Sequence, residues 1–270
     1  VTDAECVEFL RWALPRLRLR WEGFRKVRRQ VCRRVARRLR ELHLPNADAY
    51  RAFLESTPEE WRRLDALCRV TISRFNRDRG VFGFLEREVL PDLAERAVAR
   101  GTAVEAWSVG CASGEEPYSL ALAWEYGVRP SIPEAALHVR ATDADETMVR
   151  RAQAAAYAWG SLRDLPEPRR RGAFVHRGGR YHLRPRFRRL VTIERHDVRG
   201  SMPEGAYDLL LCRNLAFTYF DLELQREVAD RLALALRPGG ALVIGSHETL
   251  PEGVPRLVPW CERLRVFRAA

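Results

Sequence analysis

The stretch SVGCASGEEPYSLALA, Ser108 to Ala123, decides the fold. It closes an apolar run, Val104 to Val109, that reads as a buried strand. Gly110 and Gly114 then mark a turn, and Pro117 in front of an apolar segment marks the first turn of a helix. Strand, glycine turn and helix are the layout of a nucleotide loop in an α/β sheet. Two glutamates, Glu115 and Glu116, nevertheless open the helix. A phosphate loop of the GxxxxGK[ST] type needs a lysine after its second glycine, and none follows Gly114. A dinucleotide turn sets pyrophosphate on the helix N-terminus, where these carboxylates would repel it. A ligand with an ammonium and a sulfonium reverses that sign. S-adenosylmethionine meets the requirement: Gly110 and Gly114 admit close backbone approach, and Glu115 takes the amino group.

Working outward, strands are expected over Leu137–Thr142, Leu190–Glu194, Tyr207–Cys212 and Ala241–Ser246. Helices are expected from the loop through Tyr126, over Glu146–Ala156 and around Glu223–Leu236, with Arg237-Pro238-Gly239-Gly240 as a turn. Strands alternating with helices predict a mostly parallel, doubly wound sheet. Residues 168–190, with Gly178-Gly179 between two β-prone runs, predict a small antiparallel insertion. A terminal hairpin is expected to pair Leu257–Trp260 with Leu264–Phe267.

Residues 1–90 read instead as a helical domain, leaving 91–270 for the sheet. Phe24, Val27, Val31, Val35, Leu39 and Leu42 recur at three and four residues, one apolar stripe among arginines. A helix is expected over Ala47–Leu54, and Thr57-Pro58-Glu59-Glu60 starts another. Twelve Arg or Lys residues lie between Arg16 and Arg40, against Glu22 as the one acid. Such a surface attracts acidic partners, or is a solvated face in an arginine-rich chain of net charge +11. The six cysteines form no CxxC pair, so neither a metal site nor a disulfide is expected, and all are read as reduced. No apolar run is long enough to span a membrane and no leader pattern opens the chain, which makes a cytoplasmic monomer the expectation.

Ligands of an open α/β sheet sit beyond the carboxyl ends of the strands. The candidates there are Gly110 to Glu116, Asp143, Asp197 with Val198, and Arg213-Asn214 after Cys212. Asp143 suits a ribose diol and Asp197 an adenine amino group. Each has a plainer role open to it, such as capping a helix or serving its dipole.

GEEPYS at 114–119, Thr142-Asp143-Ala144-Asp145, Cys212-Arg213-Asn214 with Tyr219-Phe220-Asp221, and Arg237-Pro238-Gly239-Gly240 together resemble the CheR family of chemotaxis receptor methyltransferases. The resemblance runs over nearly the whole chain. It implies a Rossmann-like class I methyltransferase sheet with a small β insertion, behind a helical domain. It also implies methyl transfer from S-adenosylmethionine to glutamate side chains of chemoreceptor helices, leaving S-adenosylhomocysteine, without a metal. Arg77, in Phe75-Asn76-Arg77-Asp78, matches the arginine that the family places near cofactor and substrate, and Tyr219 matches a tyrosine lining the site. Glu115, Asp143, Asp197, Arg213 and Asn214 match cofactor positions. Thr71 and Ser73 stand where the family has Asn and Thr, Asn76 replaces an aromatic, and CRNLAFTYFD is one residue longer than the usual pattern.

A carboxylate is a competent nucleophile at neutral pH, so the enzyme's task is orientation, and an arginine can grip one carboxylate bidentately. The acceptor stays open. An acidic protein helix such as a chemoreceptor and a small-molecule O, N or S acceptor both fit, as does a cofactor-binding regulator without turnover. No nucleic-acid module accompanies the basic helix, so nucleic acid is not expected as a partner.

Overall fold

The computed structural model describes residues 2–254 and 256–270. The chain forms two compact units, one of residues up to Val70 with Leu215–Gln225, the other of Thr71–Asn214 with Arg226–Ala270. In the first, α1 (Asp3–Ala13) opens with a capping box between Thr2 and Glu5. It is followed by α2 (Trp21–Phe24), α3 (Arg28–Glu41), α4 (Ala47–Ser56) and α5 (Pro58–Cys68). Helix α3 buries Val31, Val35 and Leu39 at four-residue spacing, as the stripe requires. Inside the bundle, Arg38 grips both oxygens of the buried Glu60, at 2.9 and 2.8 Å, and Tyr50 donates to the same carboxylate at 2.8 Å.

One expectation is corrected here. Cys6 and Cys32 are joined by a disulfide, while Cys68, Cys111, Cys212 and Cys261 form no disulfide among the described residues. Packing of α1 on α3 brings the two Cα atoms to 5.9 Å, a tertiary coincidence that no sequence spacing announces.

The second unit begins with α6 (Arg79–Phe84), a π turn at Leu85–Val89, and α7 (Leu90–Ala99). Then come β1 (Val104–Val109), α8 (Glu115–Ala123), β2 (Leu137–Asp143), α9 (Glu146–Ala154) and β3 (Ala156–Tyr157). Short helices α10 (Trp159–Leu162) and α11 (Glu167–Ala173) lead into β4 (Phe174–Arg177) and β5 (Arg180–Leu183). After α12 (Pro185–Arg188) run β6 (Val191–Arg195) and β7 (Tyr207–Cys212). Helix α13 (Ala216–Tyr219) lies in the first unit, and α14 (Leu222–Ala235) runs through the boundary at Gln225. The chain ends with β8 (Leu236–Ile244), β9 (Leu257–Cys261) and β10 (Val266–Ala269).

The main sheet has the order β6-β2-β1-β7-β8-β10-β9, parallel from β6 through β8, with β10 and β9 antiparallel. Every residue of β7 is buried, the mark of a central strand covered on both faces. Helix α6, the π turn and α7 supply Val81, Phe82, Leu85, Leu90 and Leu93 to the core under this sheet. Helix α8 is buried on nearly all sides because a second core, including Phe75, Tyr157, Phe174 and Phe187, covers its other face. That second core belongs to the antiparallel insertion, order β3-β5-β4, whose turn is Gly178-Gly179. The insertion has one more strand than 168–190 could hold. Ala155 turns left-handed at φ 47°, ends α9 short of Ala156, and releases Ala156–Tyr157 to pair with β5. Likewise Arg237–Gly240 is drawn into the start of β8, where the β7 register shifts between Tyr207 and Leu209.

Candidate active site

Parallel register sets the site. Val109 lies beside Thr142, and Ser108 beside Leu211, so the 110–114 loop leaves β1 between the ends of β2 and β7. Gly110, Ala112 and Gly114 take left-handed backbone, at φ 69°, 47° and 89°. Gly114 is required twice over: its φ favours glycine, and a Cβ there would stand 3.0 Å from Ala152 Cβ and 3.1 Å from Tyr118 and Tyr157. Asp143 braces the loop, one oxygen accepting from Ala112 N–H and the other from Asp145 N–H, both at 2.8 Å.

The two glutamates face different partners. Glu115 is buried and accepts from the Ser113 hydroxyl at 2.9 and 3.1 Å and from Ser161 at 3.2 Å. Glu116 accepts from Ser108 at 2.9 Å and from Arg213 at 3.0 Å, a larger role than that of a helix-start residue. The Cys111 thiol reports the local field: burial first, then Asp143, Glu116 and Glu115, push its pKa well up. The loop is therefore a negative environment, suited to a cation.

Past β7, the Arg213 side chain is only 1% exposed. It donates to Asp78 at 2.6 Å, to the Arg77 carbonyl at 3.1 Å and to Glu116 at 3.0 Å, and stacks 5.4 Å from the Phe82 ring. Asn214, left-handed at φ 56°, accepts from the Arg77 guanidinium at 3.1 Å. Arg77 also donates to the Ile72 carbonyl at 3.0 Å, which ties it to the segment between half-buried Thr71 and Ser73, where the Ile72 side chain is exposed. Arg213 and Asn214 thus hold Arg77 at its backbone and at its side chain. The loop that bears Arg77 is anchored by Phe75, fully buried edge-on to Tyr157 and Phe174, and by Asn76 N–H donating to Ser119 at 2.9 Å. Asn76 and Asp78 are left-handed too, at φ 51° and 64°.

Of the expected site residues, the second unit gathers Thr71, Ser73, Arg77, Gly110, Gly114, Glu115, Asp143, Arg213 and Asn214 around these connected loops. Asp197, at the end of β6, is gripped by Arg199 at 2.7 Å, with Val198 buried beside it. Tyr219 ends α13 in the first unit, its ring 5.1 Å from Phe24. Sequence reasoning missed Glu248, which is buried and accepts from Asn214 N–H at 2.8 Å and from Gly245 N–H at 2.6 Å. Its signal was available: it is one more acid just past a strand end.

Residues 71–263 match the CheR methyltransferase SAM binding domain, and residues 26–65 the CheR methyltransferase all-alpha domain. The chain belongs to the CheR methyltransferase family. A chemotaxis protein methyltransferase of Listeria innocua is 35% identical over 68% of this chain and 68% of its own. A probable chemotaxis protein methyltransferase of Rhizobium etli is 30% identical over 81% of this chain and 83% of its own. The structure of SAM-bound CalS10, an amino pentose methyltransferase of Micromonospora echinaspora, aligns over 62% of this chain and 52% of that one, at 19% identity and a TM-score of 0.32. This CheR chain is a SAM-dependent methyltransferase, and the donor set of its loop fits that cofactor: carboxylates, hydroxyls and left-handed backbone beside a negative field. No helix among the described residues is long and apolar enough to cross a membrane.

Proposed function

We propose that this methyltransferase acts on carboxylate side chains of an acidic helical protein, as a protein-glutamate O-methyltransferase of the chemoreceptor-modifying kind. Arg77 carries the reading. A guanidinium has five N–H donors, and Arg77 gives one to Ile72 and one to Asn214. The remaining three are held on a braced arm, the arrangement that fixes a carboxylate in one plane. The bound cofactor supplies an electrophilic methyl group on a sulfonium. The residues that would hold it are Gly110, Gly114, Glu115 and Asp143 at the negative loop, with Thr71, Ser73, Asp197, Val198, Arg213 and Asn214 around it; the family resemblance assigns Tyr219 to the acceptor. Arg77 orients one acceptor oxygen and leaves the other for transfer, and no base is needed for a nucleophile already ionised at neutral pH.

The partner's charge follows from α3. Arg29, Arg33, Arg37 and Arg40 lie exposed on one side of that helix, a row that attracts an acidic helix and weakens with salt. The reading is tested by incubating the enzyme with methyl-tritiated S-adenosylmethionine and a chemoreceptor cytoplasmic fragment. Methyl esters release volatile methanol in mild alkali, and label that survives alkali would refute a carboxylate acceptor.

A further inference from the structure

The segment that carries Tyr219 is one residue longer than the family pattern, and its shape comes from residues far away in sequence. Helix α13 is a single turn, so its last carbonyls lack intrahelical partners. Arg20 meets three of them in succession. Its Nη2 donates to Phe217 O at 2.5 Å, its Nε to Thr218 O at 3.1 Å, and its backbone N–H to Tyr219 O at 2.9 Å. Just before it in the chain, Arg18 O accepts from Asp221 N–H at 2.9 Å, and Leu19 forms an antiparallel bridge with Phe220. The fit is close: a Cβ on Gly23 would stand 2.2 Å from Thr218 O, and the Phe24 ring lies 5.1 Å from that of Tyr219.

We infer that Arg20, with Gly23, is a positioning residue for methyl transfer that fixes Tyr219 by capping the C-terminal end of α13. A cationic side chain at that end satisfies orphan carbonyls and complements the helix dipole, and its two-carbonyl fork sets the direction in which the turn leaves. Arg20 stands eight residues before α3, so the stretch that orders the tyrosine leads directly into the basic helix. The extra residue in CRNLAFTYFD is thereby accommodated as a capped turn. The catalytic part of this inference rests on the reading of Tyr219 as a residue of the acceptor site.

The test uses the full chain labelled with 3-fluorotyrosine. The ¹⁹F resonance that vanishes in Tyr219→Phe identifies Tyr219 among the seven tyrosines. In Arg20→Ala that resonance should shift and narrow while the other six keep their positions. Methyl transfer from tritiated S-adenosylmethionine to a chemoreceptor fragment should fall roughly tenfold in kcat, the cost of one charged hydrogen bond, with cofactor affinity unchanged. Arg20→Lys, which keeps the charge but loses the fork, should recover part of both signals and also guards against a variant that fails to fold. An unmoved Tyr219 resonance in Arg20→Ala, or full kcat there while Tyr219→Phe is impaired, overturns the proposal. Full activity in Tyr219→Phe sinks the role of Tyr219 itself, and the resonance then still decides whether Arg20 caps the turn.

Discussion

The two ends of β7 hold ion clusters of opposite composition, each built on one buried charge. At the start of the strand, Asp208 is an acid among bases: it accepts from Arg100 at 2.7 Å, Arg237 at 3.0 Å and Glu105 N–H at 2.9 Å. Just past the other end, Arg213 is a base among acids, shared by Asp78 and Glu116, and its Nε has no hydrogen-bond partner among the described residues. The Asp208 cluster lies on paired strands, at the shift in register between Tyr207 and Leu209. The Arg213 cluster lies among non-glycine residues in left-handed conformation, Asn76, Asp78 and Asn214. Such backbone persists only where the surroundings enforce it, and it gathers at sites that must present groups in one geometry. The first cluster ties strands together, and the second holds loops at the edge where an α/β sheet binds its ligand.

The largest effect should come from Arg213→Met. It strips Asp78 and Glu116, 32% and 14% exposed, of the base they share, which should cost about 3 kcal/mol, the low end for breaking a buried pair. It also frees the Arg77 carbonyl, so methyl transfer should be lost together with stability, as read by urea unfolding and by label transfer. Asp208→Asn should cost less, roughly 2–3 kcal/mol, because Arg100 and Arg237 are partly exposed and regain water. Cofactor affinity, measured by calorimetry, should stay within about twofold, since the change is remote from the loops. A collapse of cofactor binding in Asp208→Asn would break the division between the two ends.

A finer cut separates holding from reacting within the Arg213 end. Asn214→Gly keeps the left-handed backbone and removes only the side chain that accepts from Arg77. Stability should change by less than about 1 kcal/mol, while kcat falls roughly tenfold. Equal losses in cofactor affinity and kcat would instead mean that Asn214 acts through its place beside the cofactor and not by holding Arg77.

These contrasts also mark what could be read from the sequence. The strands were legible because buried parallel strands are apolar throughout, as Val104–Val109 and Tyr207–Cys212 are, and their ends named Asp143 and Arg213-Asn214. The glutamates of GEEPYS predicted a cationic ligand, and the match to a SAM binding domain agrees with it. What Glu116 and Asp78 do was not legible, because the base they share, Arg213, stands 97 and 135 residues away. The same holds for the Cys6–Cys32 bridge and for Arg20 under the turn that carries Tyr219. Local chemistry and periodicity are written along the chain, whereas closure of an ion network is a tertiary fact.

The smallest effect concerns the helix behind the loop. Tyr118 is buried below Gly114, donates to Ala152 O at 3.1 Å, and has its phenol pushed up to about 12 by that burial. A free tyrosine ionises near 10, so folding favours the neutral form. The stability this provides is full below pH 10 and is lost as pH climbs through about 12, up to roughly 2–3 kcal/mol for the single group. Tyr118→Phe removes that titration. It should cost only about 1 kcal/mol at neutral pH, from the lost hydrogen bond, and should flatten the fall in unfolding midpoint between pH 10 and 12. Some slope should remain, because burial raises Tyr157 as well. Unchanged alkaline sensitivity in Tyr118→Phe would mean that the wall under Gly114 yields to solvent before its tyrosine ionises. The rigid loop would then owe its shape to Asp143 and the Arg213 cluster alone.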